Sequence, residues 1–227
     1  MKSFQHRDKK LPNHGIPTPD LEQFFSSGAS HAFEALYRQV NSQALAPYFK
    51  TCLETDGLIL DAGCGWGDLA ENLNMESTCC IDLAFEQLRQ GRHRGVIGPC
   101  VQSNLTRLPF EEDTFDTVLC ANVLHYTGFP GFEELYRVTK PNGRMLLAFL
   151  ERSDYTRRSI ELAMAWGMFP SMMGNAPLFD IADFQKFNVI IEDSVTVVCL
   201  PPWFRVSQTA SRKGLVVYVL RKTPQYH

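Results

Sequence analysis

Two carboxylates and a run of glycines are the residues of this chain best placed to do chemistry. The stretch Leu58-Ile59-Leu60-Asp61-Ala62-Gly63-Cys64-Gly65-Trp66-Gly67-Asp68 passes from an apolar segment into three glycines at alternate positions, then into a helical pattern. Glycines placed this way let the backbone approach a ligand closely and take positive φ. Three of them exceed what a plain strand-to-helix turn requires. Asp82 closes the next apolar run, 21 residues after Asp61, where a carboxylate can accept both hydroxyls of a ribose. Its plainer role is to cap the helix that follows. Asp82 therefore argues for an adenosine ligand and not for a particular reaction.

Glycine spacing separates the adenosine ligands. A dinucleotide site uses G-x-G-x-x-G, with the third glycine three residues beyond the second. Here the third is Gly67, two beyond Gly65, and Asp68 holds the required place. Charge agrees, because a pyrophosphate sits on a helix N-terminus whereas Asp61 and Asp68 flank this loop with negative charge. Such a pocket suits a ligand carrying positive charge, such as a sulfonium and an ammonium group.

The elements that must position these residues alternate in type. Short apolar runs at Leu58–Leu60, Thr78–Ile81, Cys100–Gln102, Phe115–Cys120 and Met145–Leu150 are separated by helical patterns at Asp68–Leu73, Phe85–Arg92 and Phe132–Thr139. Continuous apolar strands between helices indicate a parallel sheet covered on both faces. Two later runs, Val189–Leu200 and Gly214–Arg221, are rich in β-branched residues and close enough in sequence to form an antiparallel pair. Apolar residues from Ser30 to Leu53 recur at helical spacing ahead of the first strand. Residues 1–20 are polar, basic and proline-rich and read as a flexible tail, with residues 21–227 a single domain. Residues 151–188 between the fifth and sixth strands read as a lid over the acceptor.

Six segments in register make the pattern specific. They are Asp61 to Gly67, Ile81-Asp82-Leu83, Leu108-Pro109-Phe110, Phe115-Asp116-Thr117-Val118-Leu119, Val123-Leu124-His125-Tyr126, and Arg137 to Arg144. In order and spacing the chain resembles the class I S-adenosylmethionine-dependent methyltransferases, most closely their small-molecule branch, across about residues 56–150. The resemblance implies an α/β, Rossmann-like doubly wound fold. Its sheet has seven mostly parallel strands with an antiparallel last strand, and helices cover both faces. It implies S-adenosylmethionine as cofactor and S-adenosylhomocysteine as product. Asp61 with Gly63, Cys64, Gly65 and Gly67 would hold the amino-acid portion and Asp82 the ribose. Leu83 would pack on the adenine, with Asn104, Leu105 and Cys120 completing the cofactor site. Asn104 stands where the family commonly has an acid, Trp66 replaces a small residue, and Asn142 replaces a turn glycine whose left-handed conformation asparagine tolerates.

The electrophilic methyl carries the hard chemistry, which leaves the protein to align the acceptor for in-line displacement and to exclude water. A base is needed only where the acceptor must lose a proton. His125 is the candidate, with Tyr126 beside it, and an orienting role for His125 stands as the alternative. Met164 and Met168, with Ile160 and Ala163, follow helical spacing in the lid and suit an irregular apolar acceptor. The same stripe could simply bury a helix face. Tyr37, Tyr155 and Trp203 are further pocket candidates. Leu200-Pro201-Pro202-Trp203-Phe204 is similar to the Asn/Asp-Pro-Pro-Tyr/Phe signature of amino-methyltransferases, but it lacks the leading amide or acid and follows the wrong strand.

Composition bounds these readings. A net charge of −3 over 227 residues argues against a dedicated nucleic-acid binder, which usually shows a concentrated basic surface. It has no apolar run long enough to span a bilayer. Seven cysteines without CxxC or zinc spacing read as free thiols in a cytoplasmic protein, with no metal site. The expected partner is a small-molecule acceptor. A non-catalytic protein that keeps the fold and the cofactor is the alternative from a different class.

Overall fold

All four residues of β1 (Ile59–Ala62) are buried, as a strand covered on both faces requires. The computed structural model describes residues 15–16, 18–26, 38–53, 56–75, 78–95, 98–152, 154–165, 173–174, 176–197 and 215–224. Six further strands join β1: β2 (Thr78–Asp82), β3 (Cys100–Gln102), β4 (Phe115–Ala121), β5 (Thr139–Leu150), β6 (Val189–Val197) and β7 (Leu215–Lys222). They form one sheet in the order β3-β2-β1-β4-β5-β7-β6. β1 to β5 run parallel, and β7 is antiparallel to both of its neighbours. This is the doubly wound sheet with an antiparallel last strand that the resemblance implies. Chain order reverses between β1 and β4, so the loops leaving their C-terminal ends diverge and open a crevice.

The period of two along each strand sorts side chains to opposite faces. Leu60, Ala62, Val118 and Cys120 face α5 (Leu124–Val138), where Phe132, Phe149, Phe179, Phe184 and Tyr218 interlock. Phe132 and Phe184 meet with ring centroids 4.6 Å apart. Truncating one such ring to alanine costs about 3–5 kcal/mol. On the other face, Ile59, Cys80, Leu119 and Leu146 meet a π-turn (Asn41–Leu45) leading into α2 (Ala46–Cys52), together with α3 (Asp68–Leu73) and Leu88 of α4 (Phe85–His93). A third cluster caps the strand ends. It joins Ile16 and Leu21, in and before α1 (Thr18–Ser26), to Tyr126, Met173 and Ile160 of α6 (Asp154–Ala165).

Several of the family-like segments turn out to be structural. Arg137 donates to Glu134 and to the carbonyls of Leu108 and Phe110, and the Leu108 N–H donates to Glu134 Oε2 at 2.7 Å. The Leu-Pro-Phe turn is thereby tied to α5. Lys140 donates to Asp116 Oδ2 at 2.8 Å, and the same oxygen accepts the Leu58 N–H at the entrance to β1. Asn142 has φ 66°, the left-handed conformation expected of it.

Besides β5, which begins at Thr139 and not at Met145, three boundaries differ from the sequence reading. The expected tail over 1–20 is already ordered structure at its end, since Ile16 is buried and α1 begins at Thr18. Pro19 lies in the first turn of α1, where a missing N–H breaks nothing. α5 begins at Leu124 and not at Phe132. One turn, Leu124–Thr127, precedes a kink at Gly128 (φ 68°, ψ −158°) with Pro130 beyond it, and those breakers masked the turn. The second half of the expected lid belongs to the core, because Phe179 and Phe184 are fully buried against Phe132 and Tyr218. Tyr37, Met168 and Trp203 lie outside the described residues, as does the side chain of Tyr155.

Candidate cofactor and active site

The loop after β1 is a cradle held from two sides. Gly63, Gly65 and Gly67 all have positive φ, at 79°, 55° and 85°. A Cβ at Gly63 would overlap Val123 Cγ2. The N–H groups of Gly63 and Cys64 donate to the Ile81 carbonyl at 2.8 and 3.0 Å. Asp82 fastens the other side, since Oδ2 accepts the Gly65 N–H at 2.8 Å and Oδ1 accepts the Ala84 N–H at 2.9 Å. Asp82 therefore clamps the loop to the turn that enters α4, whose N-cap Ala84 has no side-chain cap bond. Each oxygen keeps a second lone pair for a ligand hydroxyl.

Around this cradle lies a half-open cleft. Its floor is the loop, Trp66 and Asp82; Leu83, Asn104 and Leu105 form one wall, and Asn122, Val123, Tyr126 and Thr127 the other. Leu21 and Phe25 of α1 reach over it, and Asn41 closes the end beside Asn122. Asn104 accepts from the N–H and hydroxyl of Thr106, both at 3.0 Å, which fixes it as a shaped part of the wall.

Electrostatics sharpen the picture. Asp61 is 2% exposed and its Oδ2 has no hydrogen-bond partner among the described residues. Burial, and then the charge of Asp82, push its carboxyl up to about 7. Burial also raises Asp82, against the pull of the backbone N–H groups of Ala84, Gly65 and Leu83. Asp68 behaves differently from the sequence reading: Arg38 Nε lies 3.2 Å and Arg94 Nη2 3.8 Å from its Oδ1. The uncompensated negative charge is therefore that of Asp61 and Asp82, and a cation in the cleft would relieve both.

The other expected site residues separate into two groups. Leu83, Leu105, Cys64 and Tyr126 are brought together at the cleft. Cys64 is buried beside Cys80, which with burial pushes its thiol well up. Cys120 is fully buried in the α5-side core, because strand alternation turns it away from the Asp61 face. His125 is 2% exposed, and burial alone pushes its imidazole down to about 3. Its ring lies 4.4 Å from that of Tyr126. Cys120, His125 and Asp61 do not line the cleft; Asp61 is buried two residues before Gly63, which does. Met164 is half-buried against the cap cluster of Ile16, Leu21 and Tyr126. Sequence reasoning missed Leu21, Phe25, Asn41, Asn122 and Thr127; only the helical spacing of the α1 pair offered a signal.

Residues 60–147 match the family described as the methyltransferase domain. YodH of Bacillus subtilis, an uncharacterized methyltransferase, is 32% identical over 182 residues, covering 77% of this chain and 68% of YodH. The chain belongs to the class I S-adenosylmethionine-dependent methyltransferases. Other relatives of the methyltransferase are the demethylmenaquinone methyltransferase of Corynebacterium urealyticum, 33% identical over 96 residues (40% of each chain), and the arginine-hydroxylase NDUFAF5 of Danio rerio, 30% identical over 141 residues (59% of this chain, 44% of the relative). The matched stretch thus spans less than half of either relative. In fold, the methyltransferase is similar to the magnesium protoporphyrin IX methyltransferase of Synechocystis PCC 6803 with bound S-adenosylhomocysteine. That likeness has a TM-score of 0.66 at 18% identity, covering 91% of this chain and 99% of that one. The cofactor of the methyltransferase is S-adenosylmethionine, and the cationic groups of that molecule fit the orphaned Asp61 oxygen and the glycine cradle. No helix among the described residues is long and apolar enough to cross a membrane.

Proposed function

We propose that this methyltransferase methylates a small, apolar or aromatic molecule. The observation that carries this reading is the apolar cap, in which Ile16, Leu21, Tyr126, Ile160, Met164 and Met173 cluster beside the cofactor cleft. Such a wall desolvates an apolar acceptor and offers a charged one nothing. The demethylmenaquinone relative acts on an acceptor of this kind. The net charge of −3 disfavours nucleic acid. Free cysteines at all six described positions suit the reducing cytoplasm, where we place the enzyme.

When bound, S-adenosylmethionine supplies a methyl group on positively charged sulfur. In our reading Asp61 and the Gly63–Gly67 backbone hold the amino-acid end, Asp82 accepts the ribose hydroxyls on its remaining lone pairs, and Leu83 and Leu105 sandwich the adenine. Leu21 and Phe25 exclude water from above. His125 serves as a positioning residue that sets the Tyr126 ring, because a buried imidazole with so low a pKa is a poor proton acceptor at neutral pH. The acceptor must then arrive already nucleophilic or lose its proton to water.

The test is calorimetric titration of S-adenosylmethionine, S-adenosylhomocysteine and NAD into the wild type and Asp82→Ala, followed by turnover with naphthoquinols and phenols. The expected result is binding of both sulfur compounds, its loss in the variant, no response to NAD, and release of S-adenosylhomocysteine only with apolar acceptors. Turnover with charged acceptors alone would overturn the acceptor assignment.

A further inference from the structure

The end of the cleft beside β4 holds two polar side chains that the cofactor assignment leaves unused. Asn122 follows β4, and its N–H extends the ladder to β5 by donating to the Ala148 carbonyl at 2.8 Å. Its φ of 62° is left-handed, a costly conformation for a residue with a side chain and one that asparagine tolerates better than most. Asn41 opens the π-turn ahead of α2, a widened helical turn of the kind that gathers at functional sites. These two local irregularities bring two amides together. Asn122 Nδ2 donates to Asn41 Oδ1 at 3.4 Å, and both residues line the cleft.

A hydrogen bond of that length is weak, and it uses only part of either amide. Neither side chain has another hydrogen bond to a described residue. Whichever amide donates, the pair keeps an N–H donor and a carbonyl acceptor for a ligand. Both residues are half-buried, so those groups are partly shielded from water yet reachable from the cleft. The same cleft is walled by apolar Leu21 and by Tyr126. A molecule between these walls and the amides meets hydrocarbon on one side and a donor beside an acceptor on the other.

We propose that Asn41 and Asn122 select an acceptor whose otherwise apolar ring carries two neighbouring oxygens, at least one of them a hydroxyl. The hydroxyl donates to the spare amide carbonyl, and the neighbouring oxygen accepts from the spare amide N–H. A single oxygen, or two on opposite sides of a ring, satisfies only one of the pair. The proposal deepens the small-molecule reading above and rests on it. Sheet order supports the placement: Leu83 and Asn104 follow β2 and β3, so an adenosine held there directs its sulfur toward the β1 and β4 ends, where Asn122 stands. On transfer the hydroxyl oxygen bonds the methyl carbon, the carbon–sulfur electron pair returns to sulfur, and the hydroxyl proton leaves to water.

Steady-state kinetics with S-adenosylmethionine test this on 2,3-dihydroxynaphthalene against 2-naphthol. Asn122→Gly removes one amide while keeping the left-handed turn unstrained, and Asn41→Ala removes the other from a helical position. The wild type should prefer the diol by about tenfold or more in kcat/KM. Each variant should bring that ratio to within about twofold of one, chiefly by raising KM for the diol, and should bind S-adenosylhomocysteine within about threefold of the wild type by calorimetry. A preference that survives in either folded variant, or turnover of neither naphthol by the wild type, would overturn the proposal. So would a parallel loss of S-adenosylhomocysteine affinity, which would give the amides to the cofactor. Equal turnover of both naphthols by the wild type would overturn the selection alone and leave the apolar-acceptor reading standing. Failure of the wild type to bind S-adenosylhomocysteine would instead overturn the cofactor assignment of the cleft.

Discussion

Replacing Asp61 by asparagine should stabilise the cofactor-free enzyme while crippling its cofactor binding. Burial and the nearby Asp82 charge raise the Asp61 carboxyl from 3.8 to about 7. The sign follows from proton counting. Between these values the folded protein keeps a proton that the unfolded chain has released, so stability falls as pH rises from about 4 to about 7. At about 1.4 kcal/mol per pKa unit, the charged carboxylate costs the fold about 4 kcal/mol above pH 7. The amide carries no charge but still needs partners, so about 2 kcal/mol should be recovered. For a chain of this size that raises Tm by roughly 4–8 °C at pH 8, and by little at pH 4.5. The opposite holds for cofactor affinity, which should drop about 10–100-fold once the anion facing a cationic ligand is gone. Differential scanning calorimetry of wild type and variant across pH, with and without S-adenosylhomocysteine, measures both effects. Subtracting the two proteins isolates Asp61, because burial lowers His125 to about 3 and gives a slope of opposite sign over much of the same range. A variant that melts at or below the wild type at pH 8 while its affinity is unchanged would refute the reasoning.

Three further outcomes follow from the same geometry. Gly63→Ala should lose cofactor binding and about 1–3 kcal/mol of stability in urea unfolding, because it combines positive φ with a clash against Val123. Gly95→Ala, also at positive φ but with nothing within 4 Å of the added Cβ, should cost about 1 kcal/mol and leave binding intact. For His125→Gln, the pH profile of kcat between 5 and 8 should keep its wild-type shape, since a group titrating near 3 contributes no inflection there; loss of an inflection near neutrality would restore His125 as a base. Arg137→Met should lower stability by about 2–4 kcal/mol, as it unpairs part-buried Glu134 and strips the Leu108 and Phe110 carbonyls; calorimetry would show this with cofactor affinity nearly unchanged.

Much of this enzyme was legible in its residues. Glycine spacing, Asp61 and Asp82 named the cofactor class because backbone conformation and local charge are encoded within a few residues. Apolar runs set the strands, since burial on both faces leaves a continuous signature. The asparagine at 142 announced its left-handed turn.

Other features had no local signature. Asp68 is adjacent to the loop in sequence, yet Arg38 and Arg94, 30 and 26 residues away, remove it from the negative field. Cys120 sits in a sequence segment that resembles the cofactor site, but strand alternation turns it into the opposite core. His125 looks reactive until α5 and the cap bury it. The α1 segment reads as the end of a tail, and only the tertiary contacts of Ile16, Leu21 and Phe25 with Tyr126 place it at the cleft. The sequence by itself determined which backbone shapes and charges the ligand meets. Tertiary structure decided which side chains reach it, because burial and pairing partners come from parts of the chain that no local period connects.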